Sequence, residues 1–471
     1  MNVVVMSTED GVGDSVKTIL ERDFRLSGWV RPLPVDSSAI AIVVKTVLLP
    51  RGLRVTLTDG ETGRDVRTGE FLLPSVATAD SLVVSDSLSR DLAAKEAVTK
   101  ALLQHNVDVA DSLRRAQARR SSFWWPTSRE RFARAQQTRD SLLRVLAHAD
   151  ADIRARAHQD SAQCDSVRLQ RLQHVSTQRD SLIRAWRWAL HGVADRLSQW
   201  ITGHQGIAQS RVAYVSNGEL RLVDADGAND HAVVRGETIM SPSWRHDGKA
   251  VIYSSLGDAG ARIVRIDLLT GIAAAVAGIP GGLNITPVYS PNDQSIIFAH
   301  GTEHGTDLVA VPATGGAARR IVADGHDSEG PSFSPDGRRI AFSTAKARTP
   351  QIYSVKVDGT DERLETPIPT VGRSYRTSPD WSPDGRAIVF EQQNGNFQLW
   401  MVTRATGELR RLTSEGENED PSWAPDGRHI VYTCTQKHAR HLCVMDVDTG
   451  NSWQLTSNGG GRLAAWSPMI D

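Results

Sequence analysis

Pro331-Ser332-Phe333-Ser334-Pro335-Asp336-Gly337 recurs in near copies down the second half of a 471-residue chain. Copies begin at Pro242, Pro287, Pro379 and Pro421, and a truncated one, Ala464-Ala465-Trp466-Ser467-Pro468, ends the series. The starts lie 45, 44, 48, 42 and 43 residues apart. That is the period of four-stranded propeller blades, not of helical or leucine-rich solenoids. Six copies predict six blades. Within the phrase, Ser334 suits the first place of a type I turn, Pro335 presets the second, Asp336 tolerates the third, and Gly337 can take positive φ. Each copy therefore marks a hairpin.

An aromatic residue occupies the third position of every copy: Trp244, Tyr289, Phe333, Trp381, Trp423 and Trp466. In the five complete copies a second ring follows nine residues later, at Tyr253, Phe298, Phe342, Phe390 and Tyr432. Runs around those rings (250–254, 339–343, 387–391 and 429–433) are rich in Val, Ile and aromatics, as half-buried strands are. The rings read as core between blades. Arg211-Val212-Ala213-Tyr214-Val215 looks like the second strand of a blade without a first. The chain's last residues supply it, with Trp466 expected to face Tyr214 as Trp423 faces Tyr432, which removes a sheet edge.

The length predicts a multidomain protein: an α/β domain over 1–77, a helical insertion over 78–182, a linker helix over 183–206 and a six-bladed propeller over 207–471. At the N-terminus, Val3–Met6 reads as a strand. A helix follows, capped by Asp14 or Ser15, carrying Val16, Ile19, Leu20 and Phe24 on one face and stopping near Ser27-Gly28. Residues 39–49, 53–57 and 65–73 supply three more strands. In the insertion, Asp-Ser-Leu or a close form recurs, and Leu142, Leu146, Ala149 and Ile153 share a helical face, so an arm of two or three helices is expected. It breaks at Ser121-Ser122-Phe123-Trp124-Trp125-Pro126, where the aromatics either cap the arm's own core or meet a partner or membrane surface.

A formal net charge of -1 argues against nucleic acid. No window has the apolar length of a membrane span, and residues 1–8 are too short and too uncharged at the start for a signal peptide. Read literally, the chain stays in the cytoplasm, unless an export segment precedes it. If the hairpin after Ile430–Cys434 turns around His438 and Ala439, Cys434 lies across from Cys443; a disulfide there would favour an oxidising compartment, the alternative being two buried thiols.

Catalytic and metal signatures are weak. There is no Gly-x-Ser-x-Gly elbow, no His-Glu-x-x-His and no Cys-rich metal spacing. Gly11, Gly13, Lys17 and Thr18 resemble a phosphate loop, but Val16 stands where Gly must precede the Lys. Asp224-Ala225-Asp226-Gly227 with Asp230 resembles part of a calcium loop with its Gly misplaced and its last acid missing, so it reads as a blade turn. No cofactor, metal or catalytic residue is expected. The rival reading is an enzyme of the peptidase-associated or uronate-lyase propeller kind.

The propeller phrase, the segment Arg211 to Gly227 and the terminal Ala-Trp-Ser-Pro together resemble the TolB family, the periplasmic propellers of the Tol-Pal envelope system. Arg187-Trp188-Ala189-Leu190-His191-Gly192-Val193-Ala194-Asp195, followed by Ile201 to Tyr214, is similar to that family's linker, and Leu26-Ser27-Gly28-Trp29 to its N-terminal domain. The resemblance covers residues 1–36, extends weakly to 75 and resumes at 183; the arm has no counterpart. The family's export signal and the stretch implicated in TolA contact are not seen before Met1.

The resemblance implies a non-catalytic, monomeric periplasmic adaptor. It would bind the peptidoglycan-associated lipoprotein Pal, with TolA and other Tol components as further partners, and support envelope integrity and constriction at division. A propeller adaptor outside Tol-Pal is the other alternative. The loops before each phrase should form the binding face. Carried over from the family, the Pal-facing positions are Leu283, Asn284, Thr286, Ser328 and Glu329; neighbouring loops add Met240, Ser241, Arg373, Tyr375, Glu419 and Asp420. Each is also compatible with an ordinary polar loop.

Overall fold

A computed structural model describes residues 1–7, 12–34, 41–49, 52–74, 180–258, 260–276, 281–368, 374–436 and 439–470. Contacts divide the chain into two compact units. One comprises Met1–Leu48, Leu53–Phe71 and Trp188–Asp471; the other comprises Leu49–Gly52 and Leu72–Arg187. In the second unit the Trp186 indole donates to the Pro74 carbonyl at 3.0 Å. The expected arm falls outside the described residues, except that 180–182 begin a helix reaching residue 202.

In the first unit, strands β1 (Asn2–Ser7), β2 (Arg31–Pro32), β3 (Ile42–Leu49), β4 (Gly52–Asp59) and β5 (Asp65–Leu72), with helix α1 (Val12–Ser27), make an α/β layer whose strand order is β2-β1-β3-β4-β5. Val16, Leu20 and Phe24 are buried at four-residue spacing along α1, as an amphipathic helix requires. The helix ends where Gly28 takes φ +66° and its N–H bonds the Arg25 carbonyl at 3.2 Å. The N-cap position precedes Val12, upstream of the expected Asp14 and Ser15. The helix starts at Val12, so both lie in a first turn whose N–H groups have no intrahelical partner in any case.

The repeat phrases lie on strands Thr238–Trp244, Gly282–Tyr289, Ser328–Phe333, Tyr375–Trp381, Asn418–Trp423 and Arg462–Trp466. The first five each lead into the expected hairpin, where, for example, the Gly337 N–H bonds the Ser334 carbonyl at 2.8 Å with φ +67° at Gly337. Ser334 Oγ also accepts the Arg339 N–H at 2.9 Å and donates to Asp336 at 2.6 Å, which is why Ser and Asp recur there.

The array does not form six separate sheets. Four sheets are four-stranded, and the sheets of the Pro242 and Pro287 phrases join as one eight-stranded sheet. The join is a short parallel pairing of Gly260-Ala261 with Gly282-Leu283. Glycine permits it: Gly260 and Gly282 have φ +106° and +112°, and a Cβ on Gly260 would lie 2.4 Å from the Gly282 carbonyl oxygen.

Strands β6 (Arg211–Ser216), β7 (Glu219–Asp224) and β8 (His231–Val234) form a sheet whose fourth strand is Arg462–Trp466 from the other end of the array. Trp466 is opposite Val212, not Tyr214, just as Trp423 is opposite Ile430, not Tyr432. A bulge upstream in each phrase strand sets this offset, so the two sheets are equivalent although the rings are diagonal neighbours. Ser467 N–H to the Arg211 carbonyl at 2.8 Å and the Trp466 indole to Ser210 Oγ at 2.8 Å add to the closure.

Each of these apolar clusters is shared by adjacent four-stranded sets, one of them within the joined eight-stranded sheet. Tyr214 and Trp466 pack with Val431 and Leu442; Trp244 and Tyr253 with Ala213 and Leu222; Phe298 and Tyr289 with Ile252 and Ile263; Phe342 with Ile297 and Leu308. Phe390 and Trp381 pack with Ile352, and Trp423 with Val389. The rings are core between sheets, as their periodicity predicts.

Cys434 and Cys443 form a disulfide with Cα atoms 5.8 Å apart. They are diagonal, since Cys434 pairs with His441 and Tyr432 with Cys443. The hairpin closes at Gln436–Ala439, one residue earlier than expected.

Removing residues 462–471 should abolish the cooperative calorimetric transition, because the face of β6 that carries Tyr214 loses its cover. Trp466→Ala in the full chain should cost about 3–5 kcal/mol by denaturant titration.

Candidate partner-binding channel

In every phrase strand the residue before the proline, or before Ala464 in the last, has left-handed backbone. The φ values are 48° at Ser241, 52° at Thr286, 60° at Gly330, 51° at Ser378, 52° at Asp420 and 53° at Leu463. Pairing with the neighbouring strand shifts register at each of these points. A non-glycine residue held there costs on the order of 1 kcal/mol, so neighbouring bonds must hold it. The bulges bring the six segments around a cavity of about 480 Å³, lined by Ser241–Trp244, Thr286–Tyr289, Gly330–Phe333, Ser378–Ser382, Asp420–Trp423 and Leu463–Pro468 among others.

Hydrogen bonds link consecutive phrase strands. Thr286 Oγ1 accepts the Gly330 N–H at 3.3 Å, and Ser332 Oγ accepts the Trp381 N–H at 3.0 Å. Asp380 accepts the Ser332 hydroxyl at 2.9 Å and the Trp423 N–H at 2.7 Å. Ser422 Oγ accepts the Trp466 N–H at 3.1 Å, and Asp420 accepts the Leu463 N–H at 3.2 Å. These side chains replace the backbone partners that the bulges remove.

One sector of the channel is acidic. Glu391 accepts bonds from Thr377 at 2.7 Å, Ser378 at 3.0 Å and the Asp420 N–H at 2.8 Å. Burial raises its pKa. Burial, then the charges of Glu391 and Glu419, push Asp420 up to about 7. Burial pushes Asp380 up to about 6 against the bonds from the Trp423 N–H and Ser332. Burial and mutual charge thus hold both carboxyls above the usual carboxylate range.

The expected contact residues separate by exposure. Ser241, Thr286 and Asp420 line the cavity. Leu283 and Tyr375, each 43 % exposed, and the exposed Glu329 offer side chains to an incoming surface, with Glu419 and Met240 half-buried. Partial burial and the Asp327 charge raise the Glu329 pKa. Asn284 and Ser328 are buried: Asn284 binds the Ala261 carbonyl at 3.0 Å and His300 at 2.9 Å, while Ser328 binds Thr344 at 3.2 Å. Arg373 lies outside the described residues. Sequence reasoning missed Gly330, Ser378 and Leu463, although their place before the phrase marks them as equivalents of Thr286. It also missed Asp380, which is legible as the acid at phrase position two, and Glu391, which no spacing marks.

Among the described residues, His and acidic ligand atoms within 4.8 Å of one another occur at Asp23, His191 and Asp226. There the imidazole lies between the carboxylates, one per ring nitrogen, and Arg22 also binds Asp226. The calcium-like segment is a turn from β7 to β8, with the Gly227 N–H on the Asp224 carbonyl at 2.8 Å and Asp224 paired to Arg211 at 3.1 Å.

Radially shared cores and phrase strands gathered around a channel define a β-propeller. The family model described as "TolB beta propeller domain" matches residues 198–470, and the chain belongs to that family. The Tol-Pal system protein TolB of Bordetella pertussis is 36 % identical over 183 residues, 37 % of this chain and 41 % of that protein. The chain thus spans well under half the length of that relative. TolB of Francisella tularensis subsp. mediasiatica is 27 % identical over 306 residues, 61 % of this chain and 69 % of the relative. The crystal structure of TolB from Acinetobacter baumannii superposes with a TM-score of 0.66 at 18 % identity over 99 % of this chain and 96 % of that one, a likeness of fold. Kuenenia stuttgartiensis hydrazine synthase reaches 0.50 at 14 % identity over 57 % and 48 %, so the propeller fold also occurs in an enzyme.

Because folding raises the Asp420 pKa, the folded state holds a proton that the unfolded state releases at its ordinary carboxylate value. The resulting stability is present below about pH 4 and declines to about pH 7, with a limiting slope of about 1.4 kcal/mol per pH unit. Denaturant titrations should show a smaller loss between pH 4 and 8 in Asp420→Asn than in the parent protein.

Proposed function

We propose that this chain is a non-catalytic adaptor of the Tol-Pal system that binds the lipoprotein Pal at the channel mouth bearing Leu283, Glu329 and Tyr375. The carrying observation is that these three side chains stand exposed on strands whose bulged backbones are tied to one another, a rigid display of the kind that binding surfaces use. Ser241, Thr286, Glu419 and Asp420 line or flank the same opening, and Asn284 and Ser328 act by holding the backbone; Arg373 is proposed as a further contact on the resemblance alone. Membership of the TolB propeller family and the names of the relatives support the assignment to Tol-Pal.

On this reading the eight-stranded sheet counts as two blades of a six-bladed ring, and the N-terminal α/β domain, the arm over 78–182 and the linker are distinct parts of one monomer. The setting is the periplasm. The Cys434–Cys443 disulfide suits an oxidising compartment, and no described helix is long and apolar enough to cross a membrane. Contact with TolA and other Tol components, and a role in envelope integrity and constriction at division, follow from the same assignment. An enzymatic propeller is the weaker reading, because the channel acids are engaged by backbone N–H groups and hydroxyls of the ring itself.

Calorimetric titration with the periplasmic domain of Pal from the same organism tests the proposal. Saturable binding is expected. Glu329→Arg with Tyr375→Ala should weaken it by at least about tenfold per residue with Tm unchanged, since both side chains are exposed. Absence of binding by the folded parent protein would reject Pal as the partner, and unchanged affinity in the double variant would reject this face.

A further inference from the structure

At the junction of the α/β layer and the propeller lies a cleft of about 490 Å³, away from the channel. Arg25, in the last turn of α1, and Arg31, on β2, line it from the α/β layer. His429, Asp446, Asn451 and Trp453 line it from the propeller. Its size is that of a small-molecule site. The two walls are held together beside it, where Arg428 donates to the Gly28 carbonyl at 3.2 Å and lies over the Trp29 ring at 4.1 Å.

The charges of the cleft are unevenly matched. Arg25 and Arg31 are exposed, and among the described residues neither forms an ion pair or a side-chain hydrogen bond. The acids nearby are already engaged. Asp446 accepts Arg428 Nε at 3.0 Å and Nη2 at 2.7 Å, and also the N–H groups of Asp448 and Thr449 at 3.0 and 3.3 Å. Asp448 itself lies 3.7 Å from Arg428. Asp426 accepts the N–H groups of Arg428 and His429 at 2.9 and 3.0 Å. Two guanidinium groups thus stand in one cleft without an acid, and guanidinium forks hold carboxylates and phosphates.

The propeller wall shows what else the ligand carries. His429 is fully buried, with Nδ1 2.6 Å from Asp426 Oδ2. Although burial opposes it, the His429 bond holds the Asp426 carboxyl below the usual range, so this oxygen accepts and the hydrogen sits on Nδ1. Nε2 is left with no hydrogen-bond partner. That nitrogen accepts in a neutral ring and donates in a charged one, and a hydroxyl can answer either, so its complement is the same in both states. The half-buried Trp453 packs against the His429 ring with centroids 5.8 Å apart and adds apolar surface, and the exposed Asn451 amide adds a donor and an acceptor.

We propose that this cleft binds a small, hydroxylated, ring-shaped anion of the sugar-acid or sugar-phosphate kind. Arg25 and Arg31 hold its acid group, Trp453 packs against its ring, and His429 and Asn451 meet its hydroxyls. The ligand touches both the α/β layer and the propeller, so its binding stabilises the junction. None of its contacts belongs to the channel mouth, and the site stands or falls independently of Pal binding.

Calorimetric titration of the full chain with glucose 6-phosphate, glucuronate, inorganic phosphate and glucose tests the site. At least one of the two sugar anions should bind saturably, and which of them binds more tightly tells phosphate from carboxylate. Inorganic phosphate should bind at least about tenfold more weakly, and glucose should not bind measurably. Arg25→Gln and Arg31→Gln should each weaken the sugar anion by at least about tenfold with Tm of the free protein unchanged, since both side chains are exposed. Hydrogen exchange should show added protection in the last turn of α1 and across 446–453 when the ligand is present. Binding of neither sugar anion, or affinity kept in the double arginine variant, would overturn the site. Glucose or inorganic phosphate binding as tightly as the sugar anions would overturn the ligand class.

Discussion

No four-stranded set of the repeat array has a core of its own. Tyr253 needs Leu222 from the sheet before it, Phe342 needs Leu308, Phe390 needs Ile352, and Tyr214 needs Val431 and Trp466. Apolar area removed from water is worth about 25 cal/mol per Å², and in the array the ring-bearing clusters that bury it span neighbouring four-stranded sets. An array with this property has no stable end unless its ends meet. The pairing of Arg462–Trp466 with Arg211–Ser216 supplies that meeting, joining residues some 250 apart in sequence, and the fold rests on it.

That radial packing also fixes the channel. The strands converge on their first members, and a regular pleat carrying proline before the aromatic would leave backbone groups without partners. The left-handed residue before each proline turns the strand, and a side chain from the neighbouring strand accepts the freed N–H. Thr286, Ser332, Asp380, Asp420 and Ser422 do this in turn. Using carboxylates for the task places charge in a poorly solvated ring, which is why Asp380 and Asp420 hold their protons to higher pH than exposed acids do. The polar ring around the channel is first a structural device, and the exposed side chains just outside it are free to meet a partner.

The same economy is visible at the junction. Gly28 ends α1 with a positive φ, and its bare Cα admits Arg428, whose guanidinium would lie 3.1 Å from any Cβ placed there. Leu26, two residues earlier, is buried in a propeller cluster. One helix terminus thus supplies an apolar anchor, a carbonyl for an arginine and, one turn upstream, the acid that faces His191.

Local chemistry decided much of this protein from its sequence alone. The seven-residue phrase fixes a turn, because Ser, Pro, Asp and Gly each have one conformational use there. The constant nine-residue interval between rings fixes a hairpin register, and the period fixes the class of fold. Val16, Leu20 and Phe24 were legible as a helix face for the same reason, and so was the proximity of the two cysteines. What the sequence left undecided depends on atoms far apart along the chain. The fusion of two sheets at Gly260 and Gly282, the offset that sets Trp466 against Val212, the raised pKa values of Glu391 and Asp420, and the meeting of Asp23, His191 and Asp226 all require elements from different parts of the chain to be brought together. Periodicity reports which face of an element is buried. Only the packed structure decides what that face is buried against, and the hydrogen bonds and charges of the channel and the junction follow from that.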